Sequence, residues 1–144
     1  MKYLKTYNLF ESSSFLSPEP WMDLIIQDLQ DIYLEVNDDP LWNVRCWSDR
    51  KPIRTKWNGH SFVIIIEIVD EDPEYELEGQ NPPPIVPECI KRSIDFMKGK
   101  GFNNYKITFE EEESDGVHLI DNLHIDSVSK LDVWSNNFIR IEFW

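Results

Sequence analysis

The densest run of apolar positions lies near the middle of the chain, in residues 61–69. It comprises Phe62, Val63, Ile64, Ile65, Ile66, Ile68 and Val69, with Glu67 as the one charged residue. The run is too short to cross a membrane as a helix. A strand that is apolar on both faces is typical of a covered position inside a sheet. We therefore predict that residues 61–69 form the middle strand.

A hairpin signal precedes this strand. Asn58-Gly59 tolerates the positive φ angles of a type I′ turn, which predicts Ile53 to Trp57 as the partner strand. The alternative is a longer partner that begins at Trp42 and is interrupted at Pro52, which lacks an N–H.

The first amphipathic helix is predicted between Ser17 and Asn37. Ser17 is the predicted N-cap, and Pro18 suits the first helical position, where its missing N–H leaves no bond unmade. The apolar stripe at helical spacing is Trp21, Leu24, Ile25, Leu29, Ile32 and Val36. This stripe predicts that the helix packs against the core.

A second amphipathic helix is predicted from Pro87 to Lys98. Its apolar stripe is Cys89, Ile90, Ile94 and Met97. Gly99 and Gly101 are both candidates for its C-terminal cap.

Alternation with a period of two predicts two more strands. The first is centred on Ile107, and residues 110–113 are predicted to project from it into water. The second covers residues 139–143, and Asn136-Asn137 is predicted to turn it back onto Leu131 to Trp134.

The predicted order is α-β-β-α-β-β, with room for one extra hairpin strand. It indicates an α+β fold with a mainly antiparallel sheet of four to five strands and two helices on one face. We expect an N-terminal arm over residues 1–16 and a single domain over residues 17–144.

The chain is strongly acidic, with 14 Lys and Arg against 27 Asp and Glu and a formal net charge of −13. This charge disfavours non-specific binding to nucleic acid or to an anionic membrane. Cys46 and Cys89 lack C-x-x-C spacing, and we interpret them as free, buried thiols in a reducing compartment. No signal sequence is recognised, so we expect a cytoplasmic protein.

A basic segment that carries tryptophans departs from this acidic background. We call Arg45, Trp47, Arg50, Lys51, Arg54, Lys56 and Trp57 the basic hairpin. Strand alternation predicts Trp42, Val44 and Cys46 on one face, with Arg45 and Trp47 on the other. Cations beside indoles can stack on a base, hold a phosphate or dock an acidic partner. The alternative is that the tryptophans are core residues and the cations form a solvated surface.

Candidate metal ligands occur in two segments. Residues 70–74 have acidic spacing similar to a calcium loop, but the glycine and the distal glutamate of such loops are missing. The second set is His118, Asp121, His124 and Asp126. On a strand the two histidines would lie about 20 Å apart, and on a helix they would face different sides. We expect no metal and no cofactor.

Catalytic motifs are also missing from the sequence. It contains no G-x-S-x-G, P-loop or G-x-G-x-x-G pattern. We therefore expect no enzymatic activity.

The opening residues 2–13, KYLKTYNLFESS, resemble a short leader that begins many small uncharacterised proteins of large tailed bacteriophages. Those proteins continue, as here, with an acidic amphipathic helix followed by strands. The resemblance implies a viral origin and assigns no functional residue.

Two classes of function remain open. In the first, a non-enzymatic binding protein uses the basic hairpin to hold a small anionic ligand or an acidic partner. In the second, an acidic, DNA-imitating protein engages a basic host protein through residues 70–78 and 110–113. Either class suits a phage accessory or anti-host factor in the host cytoplasm. A structural role in the virion and homodimerisation also remain open.

Overall fold

The computed structural model describes four stretches of the chain: residues 20–50, 60–69, 81–131 and 137–144. Their elements are α1 (Pro20–Ile32), α2 (Leu34–Asp38), β1 (Trp42–Arg50), β2 (His60–Ile68), α3 (Ile85–Gly99), β3 (Tyr105–Glu113), β4 (Gly116–Asn122), a 3₁₀ helix (Ile125–Lys130) and β5 (Asn137–Phe143). The predicted α+β class with a mainly antiparallel sheet is confirmed. The predicted arm and the helix start at Ser17 and Pro18 lie outside the described residues.

The five strands of these stretches form one antiparallel sheet in the order β1-β2-β5-β3-β4. β2 lies inside the sheet, as predicted, but the middle place belongs to β5. Two rows of buried side chains cross the four strands from β1 to β3 on one face. They are Cys46–Ile64–Ile141–Ile107 and Val44–Ile66–Ile139–Phe109. We call this side of the sheet the core face and the other side the open face, although Val63 and Ile65 of β2 are buried on that side too.

The strands pair with segments that lie farther away in the sequence than the turn signals predict. Phe62 pairs with Ser48 of β1, and β5 occupies the other edge of β2. The strand start at Trp42 is confirmed, whereas the predicted partner Ile53–Trp57 lies outside the described residues. β5 pairs with β2 and β3, and the predicted partner Leu131–Trp134 lies, except for Leu131, outside the described residues. The observed register aligns apolar residues in rows, and their burial stabilises it.

α1 and α2 bury a stripe that differs in part from the predicted one. The buried residues are Met22, Ile25, Leu29, Tyr33 and Val36, at spacings of three and four residues. Leu24, predicted to be in the stripe, is 61% exposed. It lies about 100° around the helix from Ile25, which turns it towards water once Met22 and Ile25 face the core. The predicted end near Asn37 is confirmed, since α2 ends at Asp38.

Tyr33 is buried with its hydroxyl group paired. This hydroxyl lies 2.9 Å from Ser93 Oγ of α3. Ser93 donates its single hydroxyl hydrogen to the Ile90 carbonyl at 2.8 Å, so Tyr33 is the donor to Ser93. The bond joins α3 to the end of α1.

α3 has the predicted apolar stripe, with Cys89, Ile90, Ile94 and Met97 all buried. It ends in a Schellman motif: the Phe102 N–H donates to the Met97 carbonyl at 2.9 Å, and the Gly101 N–H donates to the Lys98 carbonyl at 3.0 Å. Gly101 adopts a φ of 97°. Of the two candidate glycines, Gly101 is therefore the one that the cap requires.

Replacing Gly101 by alanine should lower the free energy of unfolding by about 1 kcal/mol, because a Cβ is strained at this positive φ. Gly99→Ala is the matched control, since a Cβ added at Gly99 meets no atom within 4 Å. We expect Gly99→Ala to be neutral or stabilising, as for most glycines replaced within a helix. Urea denaturation measures both, and equal losses from the two substitutions would contradict the assigned cap.

Candidate functional site

The basic hairpin is described only at its β1 end. Arg45 and Trp47 lie on the open face, as predicted, and the Arg45 guanidinium lies 5.7 Å from the Trp47 ring centroid. Arg45 Nε is also 2.9 Å from Glu67 Oε1. Of Arg50 only the backbone is described, in its pairing with His60. The other members, Lys51, Arg54, Lys56 and Trp57, lie outside the described residues. The described end therefore offers one stacked cation that a carboxylate already accompanies.

The centre of the open face carries charges that balance one another. Arg140 of β5 lies 3.2 Å from Glu142, 3.8 Å from Asp49 and 3.9 Å from Glu110. A shallow depression of about 320 Å³ is lined by Lys106, Thr108, Glu110, Leu119, Arg140 and Glu142. Because two carboxylates line it beside two cations, it presents no net charge to attract an anion.

The two cysteines are free and buried, as predicted. Burial raises the pKa of the Cys46 thiol to about 12. It also raises the pKa of Cys89. Both thiols are therefore protonated at neutral pH, and the protonated form is not the nucleophile. Neither cysteine is suited to covalent catalysis.

The largest difference between the predicted and the observed structure lies in the strand pair β3–β4. Residues 110–113, predicted to project beyond the sheet, belong to β3 and pair with β4. A strand tolerates this acidic run because successive side chains alternate between its two faces. β4 was missed, although Asp115-Gly116 is a hairpin signal and Gly116 has a φ of 133°. We call residues 110–122, with six carboxylates and no Lys or Arg, the acidic hairpin.

β4 is exposed over its whole length. Val117, Leu119 and Ile120 have 54%, 55% and 46% of their surface in water. The register shifts after Phe109, which makes Ile120 the extra residue of a β-bulge. Three exposed apolar side chains within one short strand make it a candidate contact surface.

The candidate metal ligands His118, Asp121, His124 and Asp126 do not form one cluster. His118 instead lies at the β3–β4 turn, with its Nε2 2.8 Å from Asp115 Oδ1 and 3.8 Å from Glu113 Oε2. Within the described stretches, this is the one group of three such residues whose ligand atoms lie within 4.8 Å of one another, and all three are exposed. Asp121, His124 and Asp126 are not part of it. Contacts so open to water hold the turn and do not by themselves form a metal site.

The two edges of the sheet are covered differently. At the β1 edge, Asn37 Oδ1 accepts the Val44 N–H at 2.9 Å, and Asn37 Nδ2 lies 3.5 Å from the Val44 carbonyl as a donor. The Trp42 N–H donates to the Asp39 carbonyl at 3.2 Å. At the opposite edge, β4 pairs with β3 alone among the described residues. The end of α2 therefore covers the first residues of the β1 edge, and the acidic hairpin forms the other edge.

Asn37→Ala should lower the free energy of unfolding by about 1–2 kcal/mol, because it leaves the Val44 N–H without its acceptor. Gln27→Ala is the control, since Gln27 is exposed on α1 and should change stability by less than about 0.5 kcal/mol. Urea denaturation followed by tryptophan fluorescence measures both variants. An Asn37→Ala variant as stable as Gln27→Ala would show that the side chain does not secure this edge.

Comparisons with known proteins give no relative for this chain. No family model matches it, and no curated protein or solved structure is similar to it. In the described part, no helix is both long and apolar enough to cross a membrane.

Proposed function

We propose that this chain is a non-enzymatic binding protein that engages a basic surface of another protein through its acidic hairpin. The observation that carries the proposal is the combination of exposed Val117, Leu119 and Ile120 with six carboxylates and no cation. A purely charged surface is already well solvated, and a purely apolar one would favour self-association. Their combination is suited to a partner that presents cations around an apolar contact.

The net charge of the chain also supports this proposal. The net charge of −13 attracts a basic partner from a distance and raises the rate of association at low salt. The resemblance of residues 2–13 to phage leaders favours a host protein as the partner and the host cytoplasm as the meeting place. Under this proposal the chain is a phage accessory factor without chemistry of its own.

The test compares two triple variants with the same net charge. Glu111→Gln, Glu112→Gln and Glu113→Gln neutralise the acidic hairpin, whereas Asp23→Asn, Asp28→Asn and Asp31→Asn neutralise α1 by the same amount. The probe is a fluorescent heptalysine peptide, whose binding is measured by anisotropy at low and at physiological salt.

We expect the hairpin variant to weaken heptalysine binding by at least about tenfold, which corresponds to about 1.4 kcal/mol. The α1 variant should weaken it by less than about threefold, because those charges lie outside the proposed surface. Equal losses from both variants would show that only net charge matters, and the acidic hairpin would then not be the binding surface.

A second candidate function is favoured by the stacking of Arg45 on Trp47. Both side chains lie on the open face, and an aromatic base stacked on an indole gains about 1–3 kcal/mol. We therefore also propose that the β1 end of the basic hairpin holds a small anionic aromatic ligand such as a nucleotide.

Titration with ATP tests this second candidate. Arg45→Gln should weaken ATP binding by at least about fivefold, because it removes the cation beside the stacking surface. Arg92→Gln is the matched control: Arg92 is also a partly exposed arginine paired with a carboxylate, Glu88. Tryptophan fluorescence reports the binding, and an unaltered affinity in Arg45→Gln would exclude this end of the basic hairpin as the site.

A further inference from the structure

Among the described residues, the outer edge of β4 has no partner strand along its whole length. The opposite edge, at β1, is covered at Val44 by Asn37 and at Trp42 by Asp39. An uncovered strand edge presents backbone N–H and C=O groups that can pair with another strand. Proteins often protect such an edge with lysine, proline or a β-bulge. β4 has no lysine or proline in its sequence GVHLIDN, and its bulge at Ile120 leaves residues 116–119 in regular pairing.

The register shows which side chains an added strand would meet. From Glu110↔Leu119 to Glu113↔Gly116 the pairing of β3 and β4 is regular. Val117 and Leu119 therefore share one face with Glu112 and Glu110, and His118 shares the other face with Glu111 and Glu113. An added strand would find two apolar side chains of β4 on one face and His118 on the other, with two carboxylates of β3 behind each.

Charge decides which molecule can occupy this edge. A second copy of the chain would bring two sets of six carboxylates together, and like charges at close range oppose pairing. A segment that alternates apolar residues with Lys or Arg would place its apolar side chains beside Val117 and Leu119. Its cations would lie on the face of His118. From there, long Lys or Arg side chains can extend past β4 towards Glu111 and Glu113 of β3, about 10 Å from the added strand, and offset the repulsion between these carboxylates.

We propose that the free edge of β4 binds an extended segment of a basic partner protein as an additional strand of the sheet, and that Lys or Arg alternates with apolar residues in this segment. This inference rests on the proposed function and specifies how the acidic hairpin engages its partner. Backbone hydrogen bonds would supply affinity, and the alternation of side chains would supply specificity.

The experiment uses the full chain and three versions of one probe peptide, acetyl-Lys-Val-Lys-Leu-Lys-Val-Lys-amide. One is unmodified, one is N-methylated at its apolar residues, and one is N-methylated at its inner lysines. The three have the same charge and side chains, but each methylated peptide lacks the N–H groups of one strand edge. Anisotropy measures affinity, and amide hydrogen exchange measures protection of residues 116–122.

We expect one methylated peptide to bind at least about tenfold more weakly than the unmodified one, and the other to bind nearly as well. Binding of the unmodified peptide should also slow amide exchange in β4. If both methylated peptides bind as well as the unmodified one, no strand is added and this inference is overturned, while the proposed function stands.

Two other results would contradict the proposed function or the inference. If neither this peptide nor heptalysine binds, the proposed function itself fails. If sedimentation shows that the chain alone is a dimer with β4 already protected and that the peptide does not dissociate it, the occupant is a second copy. That result would overturn the inference as well.

Discussion

The two rows of apolar side chains that cross β1, β2, β5 and β3 hold the other parts of the structure in place. Each large side chain that such a row removes from water contributes about 1.5–3 kcal/mol. A slip of one residue would turn a whole strand's set to the other face, so the rows also secure the register. The buried residues of α1, α2, α3 and the 3₁₀ helix belong to the same cluster, and their positions therefore depend on the rows.

The position where these rows stop explains the exposed hairpin. The residue of β4 that pairs with Phe109 is Asp121, and a carboxylate cannot extend an apolar row. The core therefore ends at β3, and β4 is exposed along its whole length. Val117 and Leu119 point to the opposite side of the sheet, beside Glu112 and Glu110, and remain in water as well. The candidate binding surface therefore lies on a strand that the core covers on neither face.

Electrostatics separates the open face from the acidic hairpin. On the open face, Arg45 and Arg140 each lie beside carboxylates, so their charges are balanced within a few ångströms. Such partly exposed pairs add little stability, but they leave the face without a strong field of either sign. The acidic hairpin has no Lys or Arg, and apart from Glu110, which lies beside Arg140, its carboxylates contribute to the field of the whole acidic chain. A basic partner would meet this side of the sheet first.

The amino-acid sequence alone determined the features that depend on local periodicity. The stripe of α3, the end of the first helical segment near Asn37 and the division of residues 42–47 between two faces all agree with the structure, because helix and strand periods are properties of the local backbone. The sequence also indicated Gly101 as one of two candidates for the C-terminal cap of α3, because a glycine just after an amphipathic stripe is typical of a helix end. Two features of the acidic hairpin, the run 110–113 and the dipeptide Asp115-Gly116, were visible but were not recognised as one strand pair.

Only the tertiary structure decided which strands are neighbours and which charges meet. Phe62 pairs with Ser48, and burial across four strands stabilises this register. Leu24 is exposed although it has helical spacing, because the packing of Met22 and Ile25 sets the rotation of α1. The pairing of Arg45 with Glu67 follows from strand register. The open edge of β4 likewise depends on the order of strands in the sheet. The periodicity of a single segment gives no information about this order.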